Sequence, residues 1–163
     1  SGLLLVAKTD QAHLSLSEQI KAHSCDRVYQ AVVYGRMKEP EGRVDAPIGR
    51  NPLERKEMCV TAKNSKEAVT NYRVLQEYEG FSHLELRLET GRTHQIRVHM
   101  AYLGHPVAGD PVYGPKKVIK SLEGQCLHAK SIAFDHPVTG ERMHFDSELP
   151  TYFTDFLRTL RPL

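Results

Sequence analysis

Residues 82–89 read Ser-His-Leu-Glu-Leu-Arg-Leu-Glu, and this stretch decides the fold class. Apolar and charged side chains alternate along it, with Leu84, Leu86 and Leu88 set against Glu85, Arg87 and Glu89. Successive side chains of a strand point to opposite faces, so a period of two puts the leucines on one face and the charges on the other. The stretch therefore predicts a strand of an antiparallel sheet with one buried and one solvated face.

The residues after this strand predict a turn and then a helix. Gly91 interrupts the alternation, and Thr93 is a residue type that caps helix N-termini. Gly104 and Pro106 are typical of the end of a helix. We therefore expect a helix over residues 94–103, capped by Thr93.

The rest of the chain alternates short strands with a few helices. Thr9 or Asp10 is expected to cap a helix over 11–23, and Tyr29 lies in a β-rich strand that places it on one face with Ala31 and Val33. Further strands are predicted over 3–7, 42–48, 57–62, 68–78, 127–134 and 141–146, and a last helix over 151–160. This pattern predicts one α+β domain over residues 1–163, with a mixed, largely antiparallel sheet flanked by a few helices.

Composition narrows the class of protein without naming it. Hydrophobic residues make up 40% of the chain and charged residues 26%, and no apolar run reaches the roughly 20 residues that span a bilayer. We expect a soluble monomer with no membrane partner. The net charge of +2 is too small to prove a nucleic-acid partner by itself.

The cysteines and the N-terminus carry two further expectations. Cys25, Cys59 and Cys126 are odd in number and form no CxxC pair, which favours reduced thiols in a cytoplasmic protein. The chain has no initiator Met, and the apolar run 3–7 follows after only two residues. We interpret Ser1 as a truncation or processing point.

Residues 89–99 are the stretch richest in chemistry. They place two arginines, two histidines and a glutamine around a glycine turn and a predicted helix N-terminus. Free backbone N–H groups and the helix dipole favour anions such as phosphate at that position. The stretch is either an RNA-facing site or an ordinary solvated helix start.

A metal site is the second possibility for this region, because His94, His99, His105 and Asp110 lie close together in sequence. Residues five apart on a helix, such as His94 and His99, lie about 140° apart around its axis and not on one face. We therefore predict no metal site and keep a metal-dependent hydrolase as the weaker alternative.

Four segments together resemble one known family, the RluA-type RNA pseudouridine synthases. They are residues 1–8 (Ser-Gly-Leu-Leu-Leu-Val-Ala-Lys), 29–35 (Tyr-Gln-Ala-Val-Val-Tyr-Gly), 90–110 (Thr-Gly-Arg-Thr-His-Gln-Ile-Arg-Val-His, running on to Gly-His-Pro-Val-Ala-Gly-Asp) and 127–129 (Leu-His-Ala). The resemblance covers nearly the whole chain. It implies the pseudouridine synthase fold, truncated at the N-terminus, and isomerisation of uridine in RNA, most simply ribosomal RNA, without a cofactor or metal.

The resemblance also assigns roles. Tyr29 would pack against the flipped uracil, and Arg97 would pair with the family's catalytic aspartate. Contacts with the substrate or RNA would come from Arg92, Thr93, His94, Gln95, Ile96 and Leu127, the last two as apolar walls. In the family Ser-Gly closes the motif His-Arg-Leu-Asp-x-x-Thr-Ser-Gly, of which this sequence holds only the last two residues. The 163 residues alone are therefore expected to be inactive.

Each role has a plainer alternative. Tyr29 could be a core strand residue, Arg97 a surface helix residue, and Arg92, His94 and Gln95 could stabilise the turn. The chain could also be a non-catalytic RNA-binding module. If the family roles hold, Tyr29 and Arg97 should open onto one cleft, both within roughly 15–20 Å of Ser1, given how far a chain can extend per residue.

Overall fold

The computed structural model describes residues 1–163 and is built around a six-stranded sheet. In chain order the strands of the protein are β1 (Asp26–Tyr34), β2 (Glu41–Asp45), β3 (Ile48–Arg50), β4 (Met58–Val60), β5 (Ser65–Lys66), β6 (Val69–Tyr78), β7 (Phe81–Leu88), β8 (Leu127–Asp135) and β9 (Arg142–Asp146). The large sheet has the order β2-β6-β7-β1-β8-β9, and every neighbouring pair in it is antiparallel. A smaller sheet has the order β4-β3-β5.

Three helices, α1 (Asp10–Lys21), α2 (Gln95–Tyr102) and α3 (Thr151–Thr159), complete the fold. Ile96 and Met100 of α2 pack against one face of the large sheet, in the cluster that contains Ala31, Leu84 and Leu86. The opposite face carries α3. None of the three helices has the length and apolar character that crossing a membrane requires.

The second face of the sheet is divided between a buried and a solvated part. Phe153 and Phe156 of α3 pack there with Val32 and Cys126, in a cluster separate from the one under α2. Beyond α3 this face carries charged side chains such as Arg87, which is mostly exposed. The predicted α+β class is confirmed. The antiparallel sheet with one buried and one partly solvated face, predicted from residues 82–89, is confirmed as well.

Most predicted elements form within one or two residues of their expected ends. Thr9 caps α1, its hydroxyl accepting from the Ala12 N–H at 3.1 Å. Tyr29, Ala31 and Val33 border or fill the same cluster, as their alternation predicted. The predicted strand 42–48 is in fact two strands in different sheets, β2 and β3, because the chain turns at Ala46 and Pro47.

Two predictions are wrong. Residues 3–7 form no strand: Leu4 and Val6 are 85% and 67% exposed, and the one backbone bridge near the segment joins Gly2 to Ala129, while Leu5 and Ala7 contact the sheet only through their side chains. Thr93 does not cap α2. The cap is His94, whose backbone takes the left-handed conformation (φ 56°) and whose side chain makes no capping bond.

Candidate active site

The turn between β7 and α2 is held by Gln95. Its side-chain oxygen accepts from the Thr90 hydroxyl at 2.6 Å and from the Arg92 backbone N–H at 3.0 Å. Its amide nitrogen donates to the Val69 carbonyl and to Thr70, both at 2.9 Å. Gln95 is only 3% exposed. Of the two roles left open for Gln95, this geometry supports stabilisation of the turn.

The other polar residues of the turn lie nearer to solvent. Arg92 is half-buried and donates from Nε to the Glu67 carbonyl at 2.7 Å, and Thr93 is exposed. His94 Nδ1 lies 2.8 Å from the Tyr113 hydroxyl. Burial lowers the pKa of His94, the Arg97 charge lowers it further, and Asp110 acts in the opposite direction. His94 is therefore mostly neutral at pH 7, and it lies next to the half-buried Arg92.

Arg97 forms a buried ion pair with Asp110. Its Nε and Nη2 reach the two carboxylate oxygens at 2.7 and 2.9 Å, and the Tyr113 ring packs 5.1 Å from the guanidinium carbon. Asp110 also accepts from the backbone N–H groups of Val112 and Tyr113. The Arg97 side chain is 10% exposed and that of Asp110 is fully buried, so Arg97 is no surface residue.

The charges of this pair reinforce each other. The hydrogen bond from Arg97 to Asp110 is the main cause that raises the pKa of Arg97. Burial by itself would raise the pKa of Asp110, but the hydrogen bonds from Arg97 and from two backbone N–H groups outweigh burial and lower it. Both groups are therefore ionised at neutral pH, and Arg97 is held rigidly at the start of α2.

Tyr29 lies on the wall of a cavity of about 310 Å³. The cavity is bounded by the segment 3–7, by α1 and by the middle of β1 and β8, and nine of its 13 lining residues are hydrophobic. Its volume is at the lower end of the range for small-molecule sites, roughly 300–1,000 Å³. Arg97 does not line this cavity. Two nitrogens of the Arg97 guanidinium are directed at Asp110, so a cleft shared by Tyr29 and Arg97 stays a prediction.

The first residues of the chain lie beside Tyr29. Tyr29 pairs with Ala129 across β1 and β8, and Ala129 bridges to Gly2 on its other side. Two strand spacings separate Tyr29 from Gly2, which is about 10 Å. The Ser1 hydroxyl bonds His128 at 2.9 Å and Tyr152 at 2.6 Å. The expected proximity of Tyr29 to Ser1 is therefore present.

The apolar residues assigned to the uracil pocket meet in one cluster. Ile96 is buried in the cluster under α2, and Leu127 and Tyr29 pack against its edge. The structure thus groups Tyr29, Ile96 and Leu127 in one cluster, and it groups Arg97 and His94 separately around Tyr113.

The histidines proposed for a metal site are occupied by other partners. His99 bonds Thr70 through Nδ1 and the Ala46 carbonyl through Nε2, both at 2.8 Å, and burial lowers its pKa. His105 Nδ1 bonds the Tyr34 carbonyl at 2.8 Å. Asp110 is bound to Arg97. These contacts do not favour the metal-dependent hydrolase.

Sequence reasoning missed three residues of this region. The sequence indicates Asp110 as a candidate metal ligand and as the end of a family segment but not as the partner of Arg97, and it assigns no role to Tyr113 or to Arg27, which lines the cavity with Tyr29. The signal for Arg27 was its position two residues before Tyr29 in a strand, which puts both side chains on one face. The pairing of Asp110 with Arg97 leaves no local signal in the sequence.

Comparison with known proteins shows the family. Residues 1–102 match the profile of a family described as RNA pseudouridylate synthase. The chain belongs to the RNA pseudouridine synthases, and its relatives support the RluA type in particular.

Two curated relatives illustrate the match. The chain is 50% identical over 161 residues to the uncharacterized RNA pseudouridine synthase YlyB of Bacillus subtilis, covering 99% of this chain and 52% of the relative. It is 43% identical over 173 residues to the ribosomal large subunit pseudouridine synthase D of Pseudomonas aeruginosa, covering 99% and 53%. The chain thus spans about half the length of these relatives.

Solved structures show the same fold. Human RNA pseudouridylate synthase domain containing 1 superposes with a TM-score of 0.79 at 28% identity, covering 97% of this chain and 68% of that one. Human RNA pseudouridylate synthase domain containing 4 superposes with a TM-score of 0.74 at 25% identity, covering 96% and 69%. The fold predicted from the resemblance is confirmed.

Proposed function

We propose that this chain is the uridine-binding part of an enzyme that isomerises uridine in RNA to pseudouridine, with ribosomal RNA as the substrate. The observation that carries the proposal is Tyr29 on the wall of an apolar cavity next to residues 1–7, where the family's aspartate motif leads into the fold. The names of relatives such as the Pseudomonas aeruginosa enzyme support the ribosomal substrate.

The residues have roles that suit this chemistry. Breaking the N-glycosidic bond and rejoining uracil through C5 requires a base flipped out of its stack into a pocket. Tyr29 offers an aromatic face and a polar tip to the base. Ile96 and Leu127 supply apolar walls, and Arg92, Thr93 and His94 lie at the turn where RNA would approach. The reaction needs no cofactor and no metal.

Arg97 is proposed to face the family aspartate with the part of its guanidinium that Asp110 leaves unused. Asp110 binds Nε and Nη2, so Nη1 remains as a donor. A carboxylate beside this nitrogen would be kept ionised by the opposite charge. The ion pair with Asp110 supports this role, because it keeps Arg97 charged and fixed before any substrate binds.

The test is to measure pseudouridine in ribosomal RNA incubated with two polypeptides. We expect turnover by a protein in which His-Arg-Leu-Asp-x-x-Thr precedes Ser1, and none by residues 1–163 alone. Changing that aspartate to asparagine should abolish turnover. If residues 1–163 alone form pseudouridine, another carboxylate must take the role of the family's catalytic aspartate. If neither protein does so with any RNA, the proposed function is wrong, and binding of RNA without turnover would then favour the non-catalytic module.

We also propose a monomeric protein of the cytoplasm. All three cysteines are free thiols, which suits a reducing compartment. Light scattering on the purified chain tests the first proposal, and localisation of a tagged protein tests the second.

A further inference from the structure

Arg27 is placed on the wall of the cavity that contains Tyr29. The two residues lie two positions apart in β1, so their side chains share a face of the sheet. The Arg27 guanidinium extends to the turn at Gly91, where a Cβ on residue 91 would overlap Nη1. The glycine of the family motif thus leaves the space that this guanidinium occupies.

Arg27 also differs from the other arginines in its bonding. Its Nε is the one buried side-chain nitrogen or oxygen in the chain that has no hydrogen-bond partner. Arg43 and Arg142, by contrast, pair with Glu89 and Asp26. A buried donor without a partner costs free energy, and such groups in native proteins call for a specific explanation. Nε itself is shielded from solvent, so an anion would bind the terminal nitrogens of this half-buried side chain and offset the cost by fixing the guanidinium.

We propose that Arg27 binds the backbone phosphate of the nucleotide whose uracil enters the cavity beside Tyr29. This inference rests on the proposed function. The lining is mostly hydrophobic, which suits the faces of a base, and phosphate is the charged group that a uridine nucleotide carries. The planar fork of a guanidinium matches phosphate oxygens.

The spacing of the two side chains agrees with one nucleotide. Residues two apart in a strand are separated by about 7 Å. Tyr29 can therefore hold the base while Arg27 holds the phosphate of the same nucleotide. Gly91 leaves room for the guanidinium, and half-buried Arg92 follows it in the turn, so the phosphate would lie where RNA meets the turn.

The first experiment compares binding of uridine 5′-monophosphate and uridine to residues 1–163 by calorimetry. The unsubstituted chain should bind the nucleotide about tenfold more tightly than the nucleoside, the scale of one charge-assisted hydrogen bond. Arg27→Gln should remove this preference, and Arg27→Lys should keep part of it. Arg36→Gln is the matched control, because Arg36 is 71% exposed and pairs with Glu77.

Three outcomes overturn the proposal. They are the absence of a preference for the nucleotide in the unsubstituted chain, an equal loss of affinity for both ligands in Arg27→Gln, and a loss of the preference in Arg36→Gln as large as that in Arg27→Gln. Equal weakening would mean that Arg27 contacts the base or the sugar. If Arg27→Gln does not fold, Gly91→Ala displaces the guanidinium without removing its charge and should also reduce the preference for the nucleotide.

The second experiment follows the salt dependence of binding to a single-stranded oligouridine. One lost phosphate contact should lower the magnitude of the slope of log affinity against log salt by about 0.7 in Arg27→Gln. An unchanged slope overturns the proposal. These measurements do not require turnover, so they can fail while the restored enzyme still makes pseudouridine. They can also succeed where that enzyme makes none.

Discussion

At the scale of single residues, the ion pair between Arg97 and Asp110 is the strongest electrostatic feature of the candidate site. Both side chains are almost fully buried, and Asp110 accepts two further backbone hydrogen bonds. Removing one partner of a buried pair leaves an uncompensated charge. The pair therefore couples the position of Arg97 to the folding of the loop that carries Asp110.

Asp110→Asn should lower the free energy of unfolding by about 3–5 kcal/mol. Urea denaturation measures this, with Asp155→Asn as the control, because the pair of Asp155 with Arg158 is exposed and should matter little. The pKa of Asp110 is lowered in the fold, so its stabilisation is present above the unfolded value near 3.9 and is lost as the pH falls below it. Equal losses in the two variants would contradict a structural role for the pair.

His83 gives a second prediction at this scale. Burial lowers its pKa to about 4, and its Nε2 lies 2.8 Å from the Gln30 side-chain oxygen. Below pH 6.5 the His83 imidazole is protonated in the unfolded chain but stays neutral in the folded chain until the pH approaches 4. Stability should therefore fall by roughly 3 kcal/mol between pH 6.5 and 4 on account of this residue.

The measurement is the pH dependence of urea unfolding for the unsubstituted chain and for His83→Gln. The variant should lose the part of the slope that His83 causes and keep the part caused by carboxylates. NMR titration of the imidazole is an independent check. A His83 ring that becomes protonated near pH 6.5 would contradict the assignment.

At the scale of elements, the sequence predicts best where the signal is local. The leucine alternation places β7 within one residue of its observed ends, because a strand with one solvated face alternates apolar and polar residues in its own sequence. Residues 3–7 fail for the opposite reason. Their apolar run is typical of a buried strand, yet the segment has only one bridge to the sheet and alternates half-buried with exposed residues.

The candidate site shows the same division. Tyr29 and the turn at 90–95 could be found from the resemblance, because the motif residues are contiguous. The salt bridge of Arg97 joins residues 13 apart across a turn, and its existence depends on how the loop folds back. His94 likewise has a left-handed backbone and contacts Tyr113, and no local pattern in the sequence predicts either feature.

The N-terminus of α1 offers a test at the element scale. Thr9 accepts a hydrogen bond from the Ala12 N–H, which would otherwise lack a partner. Thr9→Ala should cost about 1 kcal/mol of stability, and Thr9→Ser should cost much less. Thr154→Ala in α3 is the control, because Thr154 lies inside a helix and caps nothing. Unfolding curves that coincide for Thr9→Ala and the unsubstituted chain would show that the cap is dispensable.

At the scale of the whole molecule, the large sheet separates the candidate site on one face from the α3 core on the other. One face carries α1, α2, the cavity and the turn at Gly91, so the residues proposed for chemistry lie on that side. The other face is closed by α3 through Phe153 and Phe156. Phe153 and Phe156 can therefore be substituted without changing a residue of the candidate site, although Tyr152 at the start of α3 bonds Ser1.

The cysteines report on this division. Cys126 lies under α3 and is fully buried, and burial raises its pKa to about 12. Cys25 is also buried, and burial raises its pKa as well. Cys59, in the small sheet, is only half-buried. Because the thiolate is the reactive form, a raised pKa and burial both slow alkylation.

Iodoacetamide at pH 8 should therefore label Cys59 first and Cys126 much more slowly, because burial both raises the pKa of Cys126 and shields it from the reagent. Mass spectrometry of peptides measures each site. In the Cys59→Ser variant, very little alkylation of the folded chain is expected, and denaturant should make the two remaining thiols react. Phe153→Ala should speed up Cys126 and leave Cys25 unchanged, because only Cys126 shares a cluster with Phe153. If Cys25 and Cys126 accelerate together, the chain opens as one unit, and α3 does not loosen independently of the face that carries the site.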